Sequence, residues 1–257
     1  MLPHFQEAGL EVKTYNQAHQ LKITTSYLVN DESAEADVQV QQTLTAGIAE
    51  STNFKYTSND NIGSGEFSII GSSKVGASIA DDIKTSSMWA IIFSLAAIFI
   101  YIFVRFKKWQ YSSGAIVALI HDTLFVIAAF AIARIFGIAF EVDQVFIAAM
   151  LTIIGYSIND TVVVFDRIRE TVAERPHEKL KETFNLAINN TLNRTVMTSF
   201  TTLIVVVIML VFGGEVLRGF SFALLVGILV GTFSSIFIAT PVVLDLSKKI
   251  MKQRGEI

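Results

Sequence analysis

From Met88 onward the sequence is dominated by apolar blocks far longer than a soluble helix needs, and this restricts the fold more than any other feature. A helix that crosses a bilayer requires about 20 mainly apolar residues. Five stretches meet that requirement: Met88–Phe106, Gly114–Phe140, Gln144–Phe165, Thr195–Phe212 and Gly219–Leu246. Runs of this length imply helices and not barrel strands, whose alternation is absent. They also argue against a soluble bundle, in which helices are short and one-sided.

Lys and Arg gather after the first stretch (Arg105, Lys107, Lys108), after the third (Arg167, Arg169, Arg175, Lys179, Lys181) and after the fifth (Lys248, Lys249, Lys252, Arg254). Alternate connections share one side of the membrane, and the positive-inside bias makes that side the cytoplasm. The poorer connections near Glu141, Asp143 and Glu215 then face outward, as does everything before the first span. Trp89 at one end of that span and Tyr101, Trp109 and Tyr111 at the other suit interfacial aromatic belts.

The segment Met1–Ser87 carries five Lys/Arg against eleven Asp/Glu, so an acidic region precedes a mildly basic membrane region. With no basic stripe on a soluble face, nucleic acid is excluded as a partner. The absence of cysteine removes disulfides and thiolate metal sites. Within the acidic region the pattern predicts a short helix over Pro3–Gly9, a strand over Leu21–Leu28, a helix over Ala34–Glu50 and a strand over Gly65–Gly71, with a turn at Asn59, Asp60, Asn61 and Gly63. The expected fold class is therefore a membrane all-α bundle of five transmembrane helices, preceded by a small α+β extracytoplasmic domain. The expected division is 1–75 for that domain, 76–87 for a connector and 88–257 for the membrane domain, with a charged cytoplasmic loop at 166–190 broken by Pro176. In this loop Leu180, Phe184 and Ile188 share a helical face that suits either the membrane surface or the underside of the bundle.

Polar residues inside the spans carry the functional information, because a charge at mid-bilayer costs about 2.5–3.5 kcal/mol even on lenient scales. The third span places Thr152, Tyr156 and Asn159/Asp160 on one face. The fourth carries Arg194, Thr198 and Thr201/Thr202 at helical spacing, and the second adds His121 and Asp122. Antiparallel third and fourth spans would bring Asp160 and Arg194 to comparable depth. Burial disfavours the charged carboxylate and a guanidinium favours it, so movement of Arg194 would let Asp160 take up and release a proton. Each charge crossing the membrane delivers about 2.3 kcal/mol per 100 mV. The same spacing fits a fixed network that ties the bundle together, with Arg194 extended toward the surface. Gly227, Gly231 and Ser235 suit close helix packing. No phosphate loop, metal-ligand pattern or nucleophile motif occurs, so neither catalytic residues nor metal or other cofactors are expected, and energy should come from a gradient.

The run Gly155-Tyr156-Ser157-Ile158-Asn159-Asp160-Thr161-Val162-Val163-Val164-Phe165-Asp166-Arg167-Ile168-Arg169-Glu170 resembles the SecF signature. The resemblance continues in Val75-Gly76, His121-Asp122, Asn193-Arg194-Thr195 and Thr198-Ser199. It implies one half of an SecDF assembly in the resistance–nodulation–division superfamily. The implied role is to use the proton motive force to promote export of unfolded preproteins by SecYEG, in the bacterial inner membrane. The implied partners are SecD, SecYEG, the preprotein and the lipid bilayer. Asp160 and Arg194 match residues implicated in proton passage; Asp122 and His121 are expected to support them, with Tyr156, Asn159 and Thr198 as further polar neighbours. A whole SecF half would begin with another span and a Gly-Gly strand, so a fragment with an incomplete outer domain is expected. A small-molecule or lipid exporter of the same superfamily, and a passive assembly scaffold, are the alternatives.

Overall fold

The computed structural model describes residues 10–14, 19–31, 33–58, 62–72, 74, 77–138, 140 and 142–253. The chain divides into two units, Met1–Ser86 and Ser87–Ile257. The expected Pro3–Gly9 helix, the Asn59–Asn61 part of the expected turn and Val75-Gly76 lie outside the described residues.

In the first unit, β1 (Leu10–Thr14) pairs antiparallel with β2 (Leu21–Thr25), Val12 opposite Ile23. The expected strand from Leu21 stops short of Leu28, because a turn returns Val29 N–H to the Ser26 carbonyl and Leu28 takes φ 52°. Helix α1 (Ala34–Thr52) starts where Ser33 Oγ accepts the Ala36 N–H at 3.2 Å, with Glu35 and Asp37 beside the positive end of its dipole. It ends on Asn53 at φ 59°, whose N–H returns to Ala49. Lys74 bonds the Asp31 carbonyl and pairs with Asp37 at 3.2 Å, holding the later chain against this N-terminus. The strand expected over Gly65–Gly71 reduces to β4 (Glu66–Phe67), parallel to β3 (Lys55–Tyr56). Among the described residues the first unit thus holds two separate two-stranded sheets.

The second unit contains five spans that are long and apolar enough to cross a membrane. Helix α2 (Ala77–Phe106) includes residues 77–87, expected as a connector, as its first turns. It closes on Lys107 at φ 56°, and α3 (Trp109–Ile135) follows at once. Where hydropathy extends the second span to Phe140, α3 stops at Ile135. Gly137, at φ 82°, donates to Arg134 O and Ile138 donates to Ala133 O, the paired bonds of a Schellman cap. Asp143 caps α4 (Gln144–Glu174) through Phe146 N–H at 3.0 Å.

The loop expected at 166–190 is mostly helix. α4 continues to Glu174, only Arg175–Lys179 intervene, and α5 runs Leu180–Phe212. At 1.5 Å per residue the 31 residues of α4 extend about 46 Å, well beyond a 30 Å hydrocarbon layer. Hydropathy cannot register this charged overhang. Phe184 is buried there, with Leu180 and Ile188 packed at the same cluster, so this face lies against the bundle.

Helix α6 (Gly214–Ser234) passes through a π-helical turn, Ser235–Ala239, into α7 (Thr240–Gln253), and together they make the fifth span. Pro241 has no N–H to return to the preceding turn, which leaves the ladder one bond short. Within the widened turn Thr240 Oγ1 caps the Ser235 carbonyl at 2.9 Å.

Two apolar clusters hold the spans together. One contains Ile102, Phe106, Tyr111, Phe165, Phe184 and Val243, with Phe106 stacked on Tyr111 at 5.0 Å and both edge-on to Phe165. The other contains Val126, Phe130, Met150, Ile153, Val206 and Ile228. Along each of α3, α4, α5 and the fifth span, residues of one cluster are separated from residues of the other by a polar stretch. On α4 that stretch is Ser157 to Thr161, between Ile153 and Val164.

Candidate functional site

The polar stretches meet as a layer between the two apolar clusters. Asp122 on α3, 1% exposed, is its most connected member. Its Oδ2 accepts Ser157 Oγ from α4 at 2.6 Å and Ser234 Oγ from α6 at 2.8 Å. Its Oδ1 lies 3.1 Å from Nδ1 of the half-buried His121. These bonds fix three helices at one depth. The close approach depends on Gly231, where an added Cβ would stand 3.0 Å from Ser157 Cβ.

Asp160, one turn along α4 from Ser157 and 3% exposed, is held differently. Among the described residues its nearest hydrogen-bond donor is Ser199 Oγ of α5, at a long 3.3 Å, and the Thr232 hydroxyl of α6 also acts on the carboxyl. Ser199 Oγ is in turn 2.6 Å from Thr232 Oγ1 of α6, which donates to the Ile228 carbonyl at 2.8 Å. Thr161 Oγ1 meets Ser235 Oγ at 3.0 Å and completes the layer between α4 and the fifth span. Three hydroxyls within one turn, Thr232, Ser234 and Ser235, therefore serve three different helices.

The residues singled out by spacing divide into two groups. Asp122, His121 and Asp160 lie in or beside the buried layer, and Tyr156 reaches Thr202 Oγ1 on α5 at 3.3 Å. Asn159, Arg194 and Thr198 lie on exposed faces of α4 and α5. No ion pair joins Asp160 to Arg194 among the described residues, although the guanidinium is near enough to act on the carboxyl electrostatically. Thr198 Oγ1 turns back to the Arg194 carbonyl at 2.8 Å. Spacing alone passed over Ser199, Thr232 and Ser234. Ser199 has the Thr198-Ser199 resemblance as its signal, and Thr232 and Ser234 have the density of Ser, Thr and Gly in Gly231–Ser235. No group of three or more His, Asp or Glu capable of holding a metal ion occurs among the described residues.

At the Lys/Arg-rich end of the bundle, Asp166 pairs with Arg105 of α2 at 3.0 Å and with Arg169 of its own helix at 3.2 Å, while both guanidiniums lie over the Phe106 ring.

A small αβ unit and a five-span helical unit with buried carboxylates in a central hydroxyl layer define a polytopic membrane protein whose polar groups are arranged between helices. Residues 55–249 match the family model for the C-terminal part of the protein export membrane proteins SecD/SecF. The chain is 52% identical over 181 residues to protein translocase subunit SecF of Rhodothermus marinus, covering 70% of this chain and 58% of that protein. To the SecF subunit of Rhodobacter capsulatus it is 43% identical, covering 71% and 53%. The crystal structure of SecDF from Thermus thermophilus, a translocon-associated membrane protein, superposes with a TM-score of 0.71 at 31% identity, over 95% of this chain and 30% of that one. SecDF in its super-membrane-facing form gives 0.65 at 30% identity, over 97% and 31%. The chain belongs to the SecD/SecF protein-export family, and it spans a little over half the length of these SecF relatives.

Proposed function

We propose that this chain is the SecF-like part of an accessory to the SecYEG translocon that uses the proton motive force to promote passage of unfolded preproteins across the bacterial inner membrane, with Asp160 as its proton carrier. The observation that carries this reading is the contrast between the two buried carboxyls. Asp122 has three close partners, as a structural anchor requires, whereas Asp160 is met by the Ser199 hydroxyl at a long 3.3 Å and more weakly by that of Thr232, so its charge can change without dismantling the layer.

Arg194 acts in this reading as the movable counter-charge, and His121 and Asp122 keep α3 in register beside the carrier. The exposed polar face of Asn159, Arg194 and Thr198 is poorly suited to lipid and well suited to a membrane-embedded partner such as SecD. Residues 1–75 form the outer domain and the C-terminus is cytoplasmic, following the alternating Lys/Arg connections. Family membership favours this role over the small-molecule exporter reading.

The test is Asp160→Asn in the full-length SecD–SecF context, with gradient-dependent completion of preprotein export measured alongside protein level and assembly. Normal assembly with loss of the gradient-dependent part is the expected result. Retained gradient dependence overturns the carrier role, and failed assembly favours the scaffold reading.

A further inference from the structure

The contacts that run from Asp160 into α6 contain a hydrogen deficit. Three oxygen-to-oxygen links lie in series: Asp160 Oδ2 to Ser199 Oγ, Ser199 Oγ to Thr232 Oγ1, and Thr232 Oγ1 to the Ile228 carbonyl. Each link needs one hydrogen. Ser199 and Thr232 bring one each, and an ionised carboxylate and a carbonyl bring none. With Asp160 charged, one of the three links must go without. The two links away from the carboxyl, at 2.6 and 2.8 Å, have the separations of filled O–H···O bonds, and the shortfall falls on the 3.3 Å link to Asp160.

A proton on Asp160 supplies the missing hydrogen. Oδ2–H then donates to Ser199 Oγ, whose hydrogen stays on Thr232 Oγ1, whose hydrogen stays on the Ile228 carbonyl. One O–H bond is made on uptake and the same bond is broken on release; no other bond changes.

We propose that Ser199 and Thr232 form a hydroxyl relay that receives the protonated form of Asp160 and ties it to α6, acting as positioning residues for the carrier. This inference rests on the carrier role proposed above. The relay lies among few competing charges. From Gly219 to Leu244 the fifth span has no titratable side chain. α5 presents Arg194 from its exposed face, α4 adds Tyr156 bonded to Thr202, and on α3 Asp122 and His121 are engaged with each other and with Ser157 and Ser234. The coupling also gives protonation a mechanical target, because the bond network reaches α6 immediately before its π-helical turn.

The experiment uses the full-length protein with its SecD half. The carboxylic C=O infrared band that disappears in Asp160→Asn is followed as a function of pH in the parent, Thr232→Val, Thr232→Ser and Ser199→Ala. Thr232→Val removes the hydroxyl at nearly constant volume. Thr232→Val and Ser199→Ala are expected to lower the proton affinity of Asp160 about three- to tenfold, the equivalent of one hydrogen bond, moving the midpoint down by about half to one pH unit. Thr232→Ser is expected to restore it. A titrating band whose midpoint is the same in parent, Thr232→Val and Ser199→Ala overturns the relay and leaves the carrier standing. A parent protein with no titrating band that depends on Asp160 overturns the carrier and the relay together. If Thr232→Val does not assemble, the Ser199→Ala midpoint decides.

Discussion

Gly227 of α6 sits directly against Ile153 of α4: a Cβ added to the glycine would lie 2.5 Å from both Cδ1 and Cγ1 of the isoleucine. Ile153 is β-branched and 2% exposed, so it can neither rotate away cheaply nor move into space. Gly227→Ala is therefore expected to lower stability by about 1–3 kcal/mol through overpacking. Truncating the partner should relieve it, so Ile153→Ala/Gly227→Ala should cost less than the sum of its two single substitutions in a detergent-unfolding double-mutant cycle. Strictly additive costs would show that the two helices separate freely.

Two buried serines on the fifth span separate hydrogen bonding from burial. Ser234 donates to the Asp122 carboxyl, whereas Ser221 is equally buried and its hydroxyl has no partner among the described residues. Ser234→Ala should cost about 1.5–3 kcal/mol, the range for a hydrogen bond to a charged group, while Ser221→Ala should be neutral or slightly stabilising. Equal effects in unfolding measurements would remove Asp122 from its role as anchor.

The contrast between Asp160 and its hydroxyl neighbours explains what could be read before the structure. A carboxyl in an apolar run stands out because its transfer penalty is large, so Asp160 and Asp122 are visible from sequence alone. Ser199 and Thr232 carry little penalty and leave no such mark. Thr232 also satisfies itself on the Ile228 carbonyl of its own helix, whether or not a neighbour is present. Which hydroxyls face a carboxylate depends on the rotation of each helix about its axis, and hydropathy does not encode rotation. The same limit affects Arg194: its depth follows from the span pattern, but its position on the exposed side of α5 does not. Helix ends depart from the hydropathy pattern in both directions. Gly137 stops α3 inside an apolar run by its backbone conformation, and α4 continues through charged residues because helix propensity persists beyond the hydrocarbon.

Asp166 joins α2 to α4 through Arg105 at a half-exposed boundary, which limits its value. A double-mutant cycle with Arg105→Gln and Asp166→Asn should give a coupling of about 0.2–1 kcal/mol that weakens with added salt. A salt-independent coupling of several kcal/mol would mean that the pair is shielded from water.

In the first unit the Ser33 backbone N–H, and then its hydroxyl, hold the Asp31 carboxyl below its ordinary value, with a smaller contribution from Lys74. A lowered folded value means that the unfolded chain binds more protons in the interval between the two. The stabilisation is present above the ordinary carboxyl range and is lost as pH falls through the folded value. Asp31→Asn should flatten the acid limb of helix α1 unfolding, read by amide exchange at Ala36. An unchanged limb would assign it to other carboxyls.

The bond from Ser234 to Asp122 joins positions 112 residues apart. If α3 enters the bilayer as it leaves the ribosome, synthesis at about 5–20 residues per second leaves Asp122 without this partner for on the order of ten seconds. During that interval Ser157, on the next span to emerge, is the earlier of its two hydroxyl donors. Biogenesis of the chain thus includes a waiting period in which a carboxyl group is only partly accommodated, and the arrival of the fifth span ends it.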